Sequence, residues 1–206
     1  RKERLVTAYH EVGHALVASV LPDADPVHKV SIVSRGRAAG YTIKLSLEER
    51  KLQTRAEFLD DIAMALAGYA TEKMVFGDVT TGPSNDLQVS TRMARSMVTK
   101  WGMSDSIGPI ALEGNDGQAM FGRGMNSKEY GDKMSSHIDE EVSKIMNDSL
   151  GRAQKVLTDH RNVLDAIAKR LIEVETLEQA EYNALIKSFG IKPKEKEATK
   201  GVDILG

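Results

Sequence analysis

Between Arg4 and Leu21 the apolar residues Leu5, Ala8, Val12, Leu16 and Val20 recur every three or four positions, and Pro22 closes the run. That spacing lays one apolar stripe along a helix, and the proline marks its end. The period then changes. VHKVSIVS (27–34) and AGYTIKLS (39–46) are rich in β-branched residues and flank Arg35, Gly36 and Arg37, which predicts a β-hairpin. Two strands alone are marginally stable in water, so this ribbon must lie on helices. Ser46 with Glu49, and Thr54 with Glu57, each fit the S/T-x-x-E capping box. The second opens a helix through Ile62, Ala63, Leu66 and Ala70 to about Phe76, where Gly77 stops it.

A third helix is predicted from about Asn85 through Val89, Met93, Met97 and Trp101, with Gly102 just past its end. The glycine-rich span EGNDGQAMFGRGMN (113–126) reads as a mobile loop. Beyond it, Met134, Ile138, Val142, Ile145, Ala153 and Leu157 mark a long helix, and Val163, Ile167 and Leu171 another. Thr176 with Gln179 fits a capping box for a last helix ending near Gly190. The fold class that follows is mainly α, a helical array with a small two- or three-stranded β-ribbon. Residues 1–190 form the domain, and 191–206, charged and broken by Pro193, are expected to be a disordered tail.

Composition sharpens this picture. Of 206 residues 41% are hydrophobic, enough to bury a sizeable core. Twenty-eight Lys and Arg nearly balance 30 Asp and Glu, so no basic footprint for nucleic acid stands out. Cysteine is absent, which removes disulfides and thiolate ligands and leaves His, Asp and Glu to hold any metal. No apolar run is long enough to span a bilayer. The chain opens on RKERL without a signal peptide, as expected of a soluble piece cut from a longer protein that stays on a reducing, cytosolic face.

Candidate chemistry sits in the first helix. His10 and His14 are four residues apart, so both imidazoles lie on one face and can reach a common centre. Glu11 is about 100° round the helix from His10, off the ligand face yet able to reach a water at that centre. This is the H-E-x-x-H pattern, two ligands and a general base. Three fixed residues match by chance at about 1 in 8,000 positions, so a chain of this length shows the pattern by accident roughly once in 40. Falling inside a clean amphipathic helix makes accident a poorer account, and two core histidines on one turn pack badly.

A catalytic zinc usually takes three protein ligands, so a third is required. His28 begins a strand, and His137 and His160 sit among charged neighbours; a structural role suits each. Asp86 stands where the loop carrying Thr80, Thr81, Gly82 and Asn85 meets a helix start. An aspartate there also complements a helix dipole with no metal at all, so the pattern leaves this choice open.

Four blocks in order, HEVGHALVASVLP, HKVSIVSRGRAAGYT, LAGYATEKMVFGDVTTGPSNDL and ARSMVTKWGMSDSIGPIAL, resemble the peptidase domain of the FtsH-type ATP-dependent zinc metalloproteases, the AAA proteases of organelles. The similarity runs from about Leu5 to Ile186. It implies a Zn2+ held by His10, His14 and Asp86, with Glu11 as the catalytic base and Glu72 in contact with a ligating imidazole. It implies a mainly helical fold with a small ribbon, so that 1–190 is a zinc metallopeptidase domain. Tyr69 stands where the family commonly has Arg, Lys73 where it has a second Glu, and Pro83 where it has Ala. None of these removes a ligand.

The resemblance further implies a hexameric ring, an AAA+ ATPase module and a membrane anchor, with this domain on the cytosolic or organelle-matrix side. No G-x-x-x-x-G-K-[ST] occurs in the sequence. The expected function is zinc-dependent hydrolysis of unfolded or extracted proteins, and the contrasting one is an inactive, ring-forming module on the same scaffold. Intact H-E-x-x-H and the aspartate favour the enzyme. The edge from Ala39 through Gly40, Tyr41 and Thr42 to Leu45 is expected to take an extended substrate as an added strand, reading backbone more than side chains.

Overall fold

The computed structural model describes residues 2–34, 40–44, 52–113 and 130–194. Six helices and three strands follow in the order α1 (Lys2–Val20), β1 (Val27–Ser31), β2 (Tyr41–Lys44), α2 (Arg55–Phe76), α3 (Ser84–Thr99), α4 (Asp132–Asp159), α5 (Arg161–Val174), β3 (Thr176–Glu178) and α6 (Gln179–Ser188). The Ser46–Glu49 capping box, the 113–126 loop beyond Glu113, Ala39 and the tail from 195 lie outside the described residues.

α1 is the axis of the domain. It packs on α2 along most of its length and on α5, α4 and β1 elsewhere. Ala8, Val12, Ala15, Leu16, Val17 and Ala18 are all fully buried, so the helix has no solvent face over its middle two turns. Burying a Leu or Val side chain stabilises by about 1.5–3 kcal/mol, and α1 does so against neighbours on three sides. A second apolar cluster, Ile62, Leu66, Ala94 and Met97, joins α2 to α3. A third, Val98, Ile107 and Ile138, joins α3 to α4.

Local signals explain where α2 starts and stops. Thr54 Oγ1 accepts from the Glu57 amide at 3.2 Å while Glu57 Oε2 accepts from the Thr54 amide at 2.6 Å, the reciprocal box that the sequence predicts. Gly77 ends the helix in the left-handed region at φ 73°, and its amide bonds back to the Lys73 carbonyl. α1 lacks a basic residue in its own last turn; Lys194, from the far end of the chain, donates instead to the carbonyls of Ala18, Leu21 and Ala24.

Two expectations need correction. Thr176 does not cap α6. It lies in β3, opposite Ser31 of β1, and the two hydroxyls meet at 2.8 Å. No side chain caps α6, whose N-cap position is held by Glu178. A third strand therefore lies beside β1, giving the antiparallel order β2-β1-β3. The core face of α3 is also turned by one position. Ser90, Ala94, Met97 and Val98 are buried, whereas Val89 is exposed. Trp101 lies past the helix end, half exposed and stacked on Phe58 with ring centres 4.7 Å apart.

Candidate metal centre

The turn from His10 to His14 is buried against α2. Both rings are oriented from behind. His14 Nδ1 lies 2.7 Å from the Met64 carbonyl, which can only accept, so this nitrogen carries the proton. His10 Nδ1 lies 2.8 Å from Glu72 Oε1. Glu72 is itself 1% exposed. Burial raises its carboxyl pKa, but the bond to His10 and those from Thr80 outweigh this and hold it below the usual glutamate value. It is an anion, so His10 Nδ1 donates to it. Glu72 Oε2 accepts from the Thr80 amide at 2.7 Å, which ties the α2–α3 loop to the same carboxylate.

With both Nδ1 atoms donating, each neutral ring turns a lone pair on Nε2 toward the other, and the two Nε2 atoms are 3.0 Å apart. Asp86, in the first turn of α3, brings Oδ2 to 3.3 Å from each of them. Three electron-pair donors thus converge with nothing but a cation or a proton to reconcile them. A proton is one such partner. Burial pulls the His10 pKa down, yet Asp86 and Glu72, with Glu11 nearby, outweigh it and push the pKa up to about 9. Burial likewise raises Asp86, and its contacts with His10 and His14 more than reverse that, holding the carboxyl well below the usual range.

The donor set fits a small divalent ion. Zinc bonds of about 2.0–2.1 Å to N and O in tetrahedral geometry place ligand atoms about 3.3 Å apart. Two of the three separations here are 3.3 Å and the third is 3.0 Å. Among the described residues these three side chains are the group able to hold a metal. His28 is exposed on β1, His137 meets the Ser106 hydroxyl at 2.7 Å, and His160 sits between α4 and α5. None joins the cluster.

Glu11 is 7% exposed and faces β2, where Thr42 reaches it. Lys73 points to solvent, so the departure from the family text beside Glu72 leaves that carboxylate undisturbed. Pro83 is buried at the N-cap position of α3 and leaves Asp86 in place.

Sequence reasoning missed two contributions. The Met64 carbonyl is a backbone group and has no residue signature. Gly68 did carry a signal, because a glycine inside a helix costs roughly 1 kcal/mol against alanine and needs a packing reason. The reason is His10. A Cβ at residue 68 would stand 2.4 Å from His10 Cε1 and 2.6 Å from Nε2, so only glycine lets the ring lie flat on α2.

Comparison with known proteins shows the family. The family model for peptidase family M41 matches residues 1–185. The chain is 40% identical over 191 residues to the ATP-dependent zinc metalloprotease FtsH of Rubrobacter xylanophilus, covering 92% of this chain and 29% of that protein. It is 43% identical over 189 residues to the protein of the same name from Pseudothermotoga lettingae, covering 91% and 30%. Against Bacillus subtilis FtsH it is 43% identical over 188 residues, covering 90% and 30%. The chain spans about 30% of the length of these curated relatives. With the family model running from the first residue into α6 and the identity spread over nine-tenths of the sequence, the chain belongs to peptidase family M41.

Proposed function

We propose that this domain hydrolyses peptide bonds with a zinc ion held by His10 Nε2, His14 Nε2 and Asp86 Oδ2, and with Glu11 as general base. The observation that carries the reading is the meeting of those three atoms, with both imidazoles already oriented through Nδ1. Zinc bound there supplies Lewis acidity, drawing electron density from a carbonyl oxygen and easing loss of a proton from water. Glu11 accepts that proton as the water oxygen attacks the carbonyl carbon, then delivers it to the amine as the C–N bond breaks. Glu72 holds His10 in the tautomer that leaves Nε2 free to bind.

Within the same reading, the side of β2 that pairs with no strand among the described residues receives an extended polypeptide along Gly40, Tyr41 and Thr42. Pairing through the backbone suits broad specificity, as needed for unfolded or extracted substrates. Among the described residues no helix is long and apolar enough to cross a membrane. The relatives' names make them ATP-dependent. We infer that the whole protein joins this domain to an AAA+ module and a membrane anchor in a homo-hexamer, with cleavage on the cytosolic or matrix side. The inactive-module alternative gains no support from the site, whose donor set is complete.

Glu11→Gln separates chemistry from metal binding. The variant should hold zinc at wild-type stoichiometry by elemental analysis and lose casein and peptide hydrolysis, and chelation should abolish hydrolysis in the parent chain. Cleavage at the parent rate by Glu11→Gln removes Glu11 as the base.

A further inference from the structure

The first residues of β2 lie across α1 at the turn that carries Glu11. The Thr42 hydroxyl stands 2.9 Å from Glu11 Oε2 and 3.1 Å from the Glu11 backbone carbonyl. A hydroxyl has one proton and both neighbours are acceptors, so they compete for it. The carbonyl, inside α1, already accepts the helical bond from residue 15. The side-chain carboxylate is the stronger acceptor, and at 7% exposure it has little water to turn to instead. The proton therefore belongs to Oε2.

Gly40 holds the same side chain from its stem. A Cβ built at residue 40 would meet Glu11 Cγ at 3.0 Å, the Ser31 carbonyl oxygen at 2.9 Å and Thr7 Cγ2 at 2.7 Å. The backbone at Gly40, just before β2, thus lies close to the Glu11 methylenes while Thr42 engages the carboxylate. A glutamate has three side-chain torsions, and on a helix it would ordinarily sample several rotamers. Here the stem lies against Gly40 and the carboxylate meets Thr42, two residues further on in β2.

We propose that Thr42 is a positioning residue for Glu11. Its hydroxyl fixes Oε2, so that Oε1 is the oxygen presented for proton transfer. The base is thereby tied to the strand whose other side is the docking edge. This rests on Glu11 being the base. A misplacement of about 1 Å in a reacting group can slow a reaction 100-fold, so releasing the carboxylate should act on turnover and leave binding nearly unchanged.

The test compares the zinc-loaded parent with Thr42→Val and Thr42→Ser on a fluorogenic peptide. Val keeps the shape and β-branching that suit a strand and removes only the hydroxyl. Thr42→Val should lower kcat about 10- to 100-fold with KM within about twofold and zinc content unaltered, while Thr42→Ser keeps kcat within about threefold. Crystal structures of the same variants report the carboxylate independently of turnover: rotated away in Val, in place in Ser. Should Val fail to fold, Thr42→Ala replaces it with the same expectations. Turnover by Val at the parent rate, a rise in KM alone, or a carboxylate unmoved in the Val structure each overturns the proposal. A zinc-loaded parent with no turnover at all refutes the peptidase reading, and the crystal comparison then still decides whether Thr42 positions Glu11.

Discussion

Gly68→Ala sets two rules of helix chemistry against each other. Propensity alone favours the change, since alanine in a helix interior is better than glycine by about 0.8–1.0 kcal/mol. Packing opposes it. The new methyl carbon would lie 2.4–2.7 Å from three atoms of the His10 ring, against an ordinary contact of about 3.5 Å, so the ring must retreat by roughly 1 Å. His10 is buried among Glu72, His14 and Asp86, and any retreat lengthens the bond to Glu72 and carries Nε2 off the common centre. Overpacking costs about 1–3 kcal/mol, so the net change in metal-free stability is a loss of about 0–2 kcal/mol. Metal affinity should suffer more, because disturbing the partner that orients a ligand costs about 10- to 100-fold. Gly151→Ala is the control. That glycine lies inside α4 with nothing within 4 Å of its missing Cβ, so the substitution should stabilise by up to about 1 kcal/mol and leave zinc untouched. Urea melts of the metal-free proteins and zinc titration against a chromophoric chelator measure both quantities. If Gly68→Ala binds zinc like the parent and gains the same stability as Gly151→Ala, His10 does not lie against α2.

Two further outcomes test the frame around the site. Asp60 is buried on α2, where it accepts from the Asp23 amide at 2.8 Å and from the half-exposed Arg152 of α4, so Asp60→Ala removes an acceptor shared by two elements and should cost about 1–2 kcal/mol in chemical denaturation. Glu113 accepts from Arg95 at 2.6 Å, Tyr130 at 2.9 Å and Thr99 at 3.1 Å. Burial raises its pKa, and these bonds, led by that of Arg95, reverse the effect and hold it below 4.5. A carboxyl depressed on folding contributes stability above its unfolded pKa and loses it as pH falls through the folded value. The stability gap between the parent and Glu113→Gln should therefore be full at neutral pH and close below about pH 4.5 in urea melts across that range. A gap independent of pH refutes the ionic account.

The sequence was legible where one residue type carries a local rule. Thr54, Glu57 and Gly77 bound α2 through backbone groups a few positions away, and periodicity placed α1 and α4 because their apolar stripes are continuous. It failed where the partner is distant. Thr176 followed by Gln179 looks like a cap, but Ser31, 145 residues earlier, offers the hydroxyl a strand partner. Tertiary pairing overrode the local motif. In α3 the apolar Val89 lies off the buried face, which the small residues Ser90 and Ala94 occupy, and Trp101 lies beyond the helix end. A hydrophobicity pattern cannot see that choice.

The candidate site follows the same division. His10, Glu11 and His14 share one helical turn, so their relation is fixed by 3.6 residues per turn and can be read from spacing. Asp86 lies 72 positions beyond His14, and its approach depends on how α3 meets α2 through the Ile62, Leu66, Ala94 and Met97 cluster. Glu72 also links the two regions by side-chain chemistry, since it orients His10 with one oxygen and anchors the Thr80 amide, six residues before Asp86, with the other. That placement explains why a buried anion is worth its desolvation here. A neutral glutamine could accept from one of these donors through a single oxygen, whereas the carboxylate serves the imidazole and the loop together. Glu72 therefore sets the tautomer of His10 and ties down the loop that leads to Asp86, and under the proposed zinc reading the three-atom centre depends on a residue outside it.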